Sequence, residues 1–145
     1  MKELSTLKVK LDEGAIMPRH EYPEDAGYDL FSREEFCLWP GGRHTFDTGV
    51  HLDIPDGYYG EITGKSGMSR DDGIGPAFNG TIDAHFSGSI GVTLFNFGKH
   101  DRVFKPGEKI AQIVFHPVET PALIEVVEIE ERGRGNNGFG STGQF

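Results

Sequence analysis

Residues that turn a chain interrupt this one about every ten positions, and short β-prone segments fill the intervals. Pro40-Gly41-Gly42, Pro55-Asp56-Gly57 and Lys105-Pro106-Gly107 are three such interruptions. Glycine reaches positive φ without a steric clash, and proline presets the φ that a turn needs. With 21 Gly and 8 Pro in 145 residues, no room is left for long helices. The pattern predicts an all-β sandwich or barrel of many short strands.

Leu7, Val9 and Leu11 alternate with Lys8, Lys10 and Asp12, the period of a half-buried strand. Further strands are expected at Phe36–Trp39, Thr48–Ile54, Tyr58–Thr63, Ile90–Phe97, Val103-Phe104 and Ile110–Phe115. The Pro55-Asp56-Gly57 turn predicts a hairpin between the third and fourth of these seven segments. Leu123–Ile129 is rich in β-branched residues and is read as a strand rather than a helix. The one helical expectation is short, Met68 to Asp72.

The length suits one domain. The last fifteen residues, from Glu131, are Gly-rich and polar and bury too little to order themselves. The compact β domain is therefore expected over 1–130, with a flexible arm over 131–145. A net charge of −9 argues against broad nucleic-acid binding through a basic surface. Cys37 is the single cysteine, so no intrachain disulfide forms. The N-terminal segment lacks a continuous apolar stretch, and no run is long enough to span a membrane. The expected setting is cytoplasmic, away from any membrane.

Several short clusters carry chemistry, each with an ordinary explanation beside it. Gly133-x-Gly135-x-x-Gly138 has dinucleotide-site spacing but no room for the helix that must follow. The glycines of 135–140 have P-loop spacing, with Ser141 where lysine is required. Closely spaced backbone N–H groups can still wrap an anion, and Arg132 and Arg134 add charge. Gly64-Lys65-Ser66-Gly67 combines an ammonium, a hydroxyl and flexible backbone; it suits a phosphate or is simply a turn. Asp83, ahead of a β-rich run, is a general base or a turn residue capping its own backbone. Asp25 and Asp29 offer oxygen to a magnesium ion or belong to a surface turn. The six histidines show no zinc-binding spacing.

The order of these clusters resembles the trimeric deoxyuridine triphosphatase (dUTPase) family. Five segments match in sequence order: Asp25–Ser32 (DAGYDLFS), Gly64–Ser69 (GKSGMS), Gly80–Gly88 and the strand after it, Gly107–Val114 (GEKIAQIV), and Arg134–Gly143 (RGNNGFGSTG). The resemblance implies a jelly-roll-like β fold with a mobile C-terminal arm. It implies a homotrimer with shared active sites that hydrolyses dUTP to dUMP and pyrophosphate with Mg²⁺.

By the same resemblance, Asp83 activates the water that attacks the α-phosphorus. Asp29 holds the metal through water. Lys65, Ser66 and Gly67 grip the phosphates, and Gln112 lies near the phosphates or the attacking water. Main-chain groups around Asn79, Gly80, Thr81 and Ile82 read the uracil, and Phe86 packs on the deoxyribose. Arg134, Gly140, Ser141 and Thr142 belong to the arm that closes on the terminal phosphate, and Phe139 stacks on the base.

Three positions depart from the family pattern. Lys65 stands where arginine is usual, a point charge in place of a planar fork. His85-Phe86 replaces an Asp-Tyr pair, and Asn137-Gly138 replaces Gly-Gly, Asn being tolerant of left-handed backbone. Two other readings remain. One is a non-catalytic nucleotide- or protein-binding module on the same fold. The other is a dCTP deaminase, which needs a glutamate where the strand after Gly88 offers Asn96.

Overall fold

The computed structural model describes residues 3–78 and 80–145. Among them the chain forms eleven strands and one short helix. The strands are β1 (Lys8–Leu11), β2 (Tyr28–Phe31), β3 (Phe36–Leu38), β4 (Arg43–Asp47), β5 (Val50–Asp53) and β6 (Tyr58–Thr63). Helix α1 (Ser66–Asp72) follows, then β7 (Ile74–Gly75), β8 (Gly80–Ile82), β9 (Gly91–Asn96), β10 (Arg102–Phe104) and β11 (Lys109–Pro117). The fold is all-β, as the turn pattern predicts, with the jelly-roll-like architecture that the family resemblance implies. The helix starts two residues before its expected position and stops where Gly73 takes a left-handed φ of 69°.

Four antiparallel sheets build the layers. Strand β1 pairs with β5, β10 with β3, β2-β11-β6-β8 form a four-stranded sheet, and β4-β9-β7 a three-stranded one. The period of two is plain in β9, where Val92, Leu94 and Asn96 are buried while Gly91, Thr93 and Phe95 are not. Leu30, Phe46, Ile54, Ile90, Leu94, Phe104, Ile110 and Ile113 are closed to solvent and join the sheets into one core. Phe46 meets Phe104 edge-on at 5.2 Å between ring centres.

Two sequence expectations are corrected here. The turn after Ile54 forms, with Tyr58 N–H donating to Pro55 O at 3.3 Å, but it does not close a hairpin. Strand β5 pairs with β1, whereas β6 pairs with β11 and β8. The segment passes from one sheet to another at the buried Ile54, a long-range choice that local turn chemistry does not encode. Second, Leu123–Ile129 forms no strand. Leu123, Ile124, Val127 and Ile129 are 81–101% exposed, because no edge of this single chain lies alongside to pair with them.

No helix among the described residues is long and apolar enough to cross a membrane. Asn96 serves the fold: its amide donates to Leu38 O and His100 O, both at 2.9 Å, and its oxygen accepts from Gly98 N–H.

Candidate active site

Register on the four-stranded sheet places the first cluster. Gln112 of β11 lies opposite Asp29 of β2 on one side and Thr63 of β6 on the other. Residues directly opposite one another share a sheet face, so Asp29, Gln112 and Thr63 form one rung. Two residues beyond Thr63 stands Lys65, in extended conformation at the start of α1.

The Lys65 ammonium donates to Asp29 Oδ1 at 2.5 Å. The other carboxylate oxygen faces Lys109 Nζ at 3.3 Å. The Asp29 side chain is only 6% exposed, and two cations answer the cost of burying its charge. The Asp29 hydrogen bond and charge, and after them those of Glu21, hold the Lys109 ammonium above its ordinary pKa. A bulge between Lys109 and Ala111 brings Lys109 opposite Phe31, onto the face that carries Asp29. Sequence reading missed Lys109; the signal was its place three residues before Gln112, which only the bulge makes meaningful.

Gln112 ties three of the matched segments together. Its amide donates to Gly64 O at 2.9 Å, and its side chain fills the space over Gly27, where an added Cβ would stand 2.8 Å from the Gln112 amide carbon. Gly27 thus admits the glutamine. Ser66 and Gly67 lie exposed at the first turn of α1. Asp29, Lys65, Ser66, Gly67 and Gln112 are therefore gathered at one end of the sheet.

Asp83 is elsewhere. Ile82 lies opposite Gly60, and Lys65 is five residues on from Gly60, past the end of β6, on the order of 16 Å if the chain stays extended. Asp83 stands one residue further from Lys65 again, exposed, in a turn closed by Phe86 N–H donating to Asp83 O at 3.2 Å. Gly80, Thr81 and Ile82 form β8. Asn79 lies outside the described residues. Phe86 is 45% exposed and its ring rests on Gly88, where a Cβ would meet it at 2.5 Å. His85 has a φ of 66° and is the one non-glycine with positive φ among the described residues; Asn137 does not use its left-handed tolerance.

The arm follows its own course. Arg134 Nε donates to Asn137 O at 2.6 Å, and its Nη2 reaches Ser141 Oγ at 3.5 Å. Turn bonds run from Ser141 N–H to Gly138 O and from Gly143 N–H to Gly140 O. Thr142 and the rest of the arm are exposed, and Phe139 is fully so. One chain thus holds three separate pieces: the Asp29–Lys65–Gln112 cluster, the Asp83 turn, and the arm.

Among the described residues, no three His, Cys, Asp or Glu side chains converge as a metal cage. Both oxygens of the Asp29 carboxylate already face ammoniums, so Asp29 would meet a metal ion only through waters that the ion keeps, with phosphate oxygens holding the ion itself. Magnesium binds in that way, through one or two carboxylates and the substrate's phosphates.

Comparison with known proteins gives this fold, and the segments gathered at one end of its four-stranded sheet, their class. The dUTPase family model matches residues 13–143. The deoxyuridine 5'-triphosphate nucleotidohydrolase of Fowlpox virus is 38% identical over 146 residues, covering 99% of both chains. The Staphylococcus bacteriophage 80alpha dUTPase with dUPNHPP superposes with a TM-score of 0.87 at 34% identity, covering 97% of this chain and 100% of that one. A mutant dUTPase from phage phi11 of S. aureus, described for the coordination of a structural Mg(II) ion, gives a TM-score of 0.80 at 31% identity, covering 87% of this chain and 99% of that one. This chain belongs to the dUTPase family, the dUTP diphosphatases.

Proposed function

We propose that the protein hydrolyses dUTP to dUMP and pyrophosphate, with Asp83 as the general base. Asp83 takes a proton from water as its oxygen bonds to the α-phosphorus. The bond to the bridging oxygen breaks, and pyrophosphate leaves with that electron pair. Lys65, Ser66 and Gly67 grip the phosphates, and Gln112 fixes the Gly64–Lys65 segment. When bound, magnesium neutralises charge on the triphosphate, and Asp29 would hold it through water. Arg134, Gly140, Ser141 and Thr142 close on the terminal phosphate while Phe139 covers the uracil, excluding bulk water. Backbone groups of 79–82 read the base, and Phe86 crowds a ribose 2′-hydroxyl.

The observation that carries this reading is the gathering of Asp29 on β2, Gln112 on β11 and Lys65 just past the end of β6 in a chain of this family. The separation of Asp83 from Lys65 exceeds what one triphosphate spans, so the two ends of the site come from different copies. We infer a homotrimer with shared sites. A groove of about 670 Å³ supports it, lined by Val9, Tyr28, Leu52, Tyr58, Ile113 and Phe115 among others. His20, also in its wall, keeps a buried Nδ1 without a hydrogen-bond partner among the described residues. The exposed β-prone segment Leu123–Ile129 of another copy suits that groove.

Pyrophosphate release with Mg²⁺ from dUTP, dTTP, dCTP and UTP tests the reading. Release from dUTP alone is expected. Saturable dUTP binding without turnover would replace the enzyme by a binding module.

A further inference from the structure

The turn that carries Asp83 is laced to a strand of another sheet. On the far side of Asp83, His85 N–H donates to Ile54 O at 3.1 Å, and His85 Nε2 meets Asp56 Oδ1 at 2.9 Å. Ser89 Oγ accepts from Gly49 N–H at 3.0 Å and also meets Asp47. Thr48 N–H donates to Ile90 O at 3.0 Å, and Ile90 N–H to Val50 O at 2.9 Å. Between these fixed points lie Phe86, Ser87 and Gly88, and His51 holds the middle one by its carbonyl.

The His51 ring stands between two groups that accept and do not donate. Nδ1 is 2.7 Å from Ser87 O, and Nε2 is 3.0 Å from Asp12 Oδ2. A neutral imidazole carries one N–H and one lone pair, so it satisfies one partner and turns a lone pair on the other. An imidazolium satisfies both. The surroundings are mixed in sign: Asp12 favours the cation, while Lys10, directly opposite on β1, opposes it.

We infer that His51 is a positioning residue for dUTP hydrolysis, which by donating from both ring nitrogens pins the 83–89 turn to β1 and β5 and so fixes Asp83 and Phe86. This rests on the proposed function of that turn. The Ser87 hydrogen bond first, and Asp12 after it, raise the His51 pKa above its ordinary value. A raised folded-state value means that the clamp is complete below the ordinary histidine range. It is lost as pH rises through the folded-state value.

The test uses the full-length protein. Ring-nitrogen NMR of His51 is expected to give a midpoint above the ordinary value of about 6.5; a midpoint at or below it overturns the clamp. For dUTP, kcat/KM of His51→Gln is expected about tenfold below wild type at pH 6, converging with it by about pH 9, as one charged hydrogen bond is given up. A deficit constant across that range overturns the positioning role. His51→Arg, a permanent cation, is expected to keep its pH 6 rate to pH 9; an alkaline decline as steep as wild type's counts against the proposal. Faster amide exchange at Ile90 in His51→Gln is expected, and unchanged exchange contradicts it. Absence of dUTP turnover by the wild type would instead overturn the functional reading, leaving the NMR midpoint and amide exchange to judge the clamp.

Discussion

The side chain of Gln112 occupies the volume that any side chain on Gly27 would need, with its amide carbon 2.8 Å from the position of an added Cβ. Gly27→Ala therefore dislodges the glutamine and loosens its bond to Gly64 O. Overpacking of this kind costs about 1–3 kcal/mol, or several degrees of melting temperature. Turnover is expected to fall about tenfold, because the Lys65 segment loses its anchor. A thermal melt and a pyrophosphate assay read the two effects separately, and unchanged turnover would free Gln112 of its role.

The distance along β6 between the Asp83 turn and Lys65 predicts complementation between copies. Asp83→Asn alone is expected to lose ~10²–10⁴ in turnover while still binding dUTP. Lys65→Ala is expected to be similarly weak through poor phosphate binding. Co-refolding the two variants in equal amounts should restore about a quarter of wild-type activity in a trimer whose sites draw on different copies. No recovery would place both residues in a site made by one copy.

Because the arm's hydrogen bonds run within the arm, its removal should leave the β domain intact. A chain ending at Ile129 is expected to keep its melting temperature within about 2 °C, a shift that corresponds to less than 1 kcal/mol at this size. It is expected to lose most dUTP turnover. Aggregation or loss of assembly on truncation would make the arm structural.

Phe86 rests on Gly88 so closely that a methyl group there would displace the ring. In the proposed site this ring excludes the ribose hydroxyl. Gly88→Ala is expected to raise the ratio of UTP to dUTP turnover about tenfold, the usual worth of a misfitted contact in a specificity pocket. Parallel kinetics of both substrates, unchanged in ratio, would remove Phe86 from sugar discrimination.

Acid stability has a named contributor. Asp47 bonds to Ser89 Oγ and Gly49 N–H and faces Arg33 at 3.1 Å. Ser89 first, then the Gly49 amide, depress its pKa. A depressed folded-state value stabilises above the ordinary carboxylate range and is lost as pH falls through the depressed one. Asp47→Asn is expected to melt slightly lower than wild type at pH 7, by no more than about 2 °C, because the carboxylate is 63% exposed and solvent screens its contacts. That gap should narrow as pH falls below the ordinary carboxylate range and through the depressed value. A gap that persists there would assign the effect to shape rather than charge.

Local chemistry made most strands legible, because a turn residue and a period of two are written within a few positions of each other. Pairing partners were not. The Pro55-Asp56-Gly57 turn reads as a hairpin until β5 is seen on β1 and β6 on β11, partners far away in sequence. The Leu123–Ile129 segment has the composition of a strand, but strand formation needs a partner, and the segment pairs with no strand of its own chain among the described residues. At the candidate site, the matched segments named Asp29, Lys65 and Gln112. They did not single out Lys109, whose facing depends on a bulge, or His51, whose two acceptors come from Asp12, just past β1, and from the 83–89 turn.

The scattering of the site over three parts of the chain also bears on inheritance. In the proposed trimer, one copy lends its base to one pocket, its phosphate grip to another, and its arm wherever the chain end reaches. A copy defective in all three would spoil more than its own share of pockets. In a cell making both forms, such an allele would act as a dominant poison, and its severity would depend on the proportion of mixed assemblies rather than on the dose of normal protein alone.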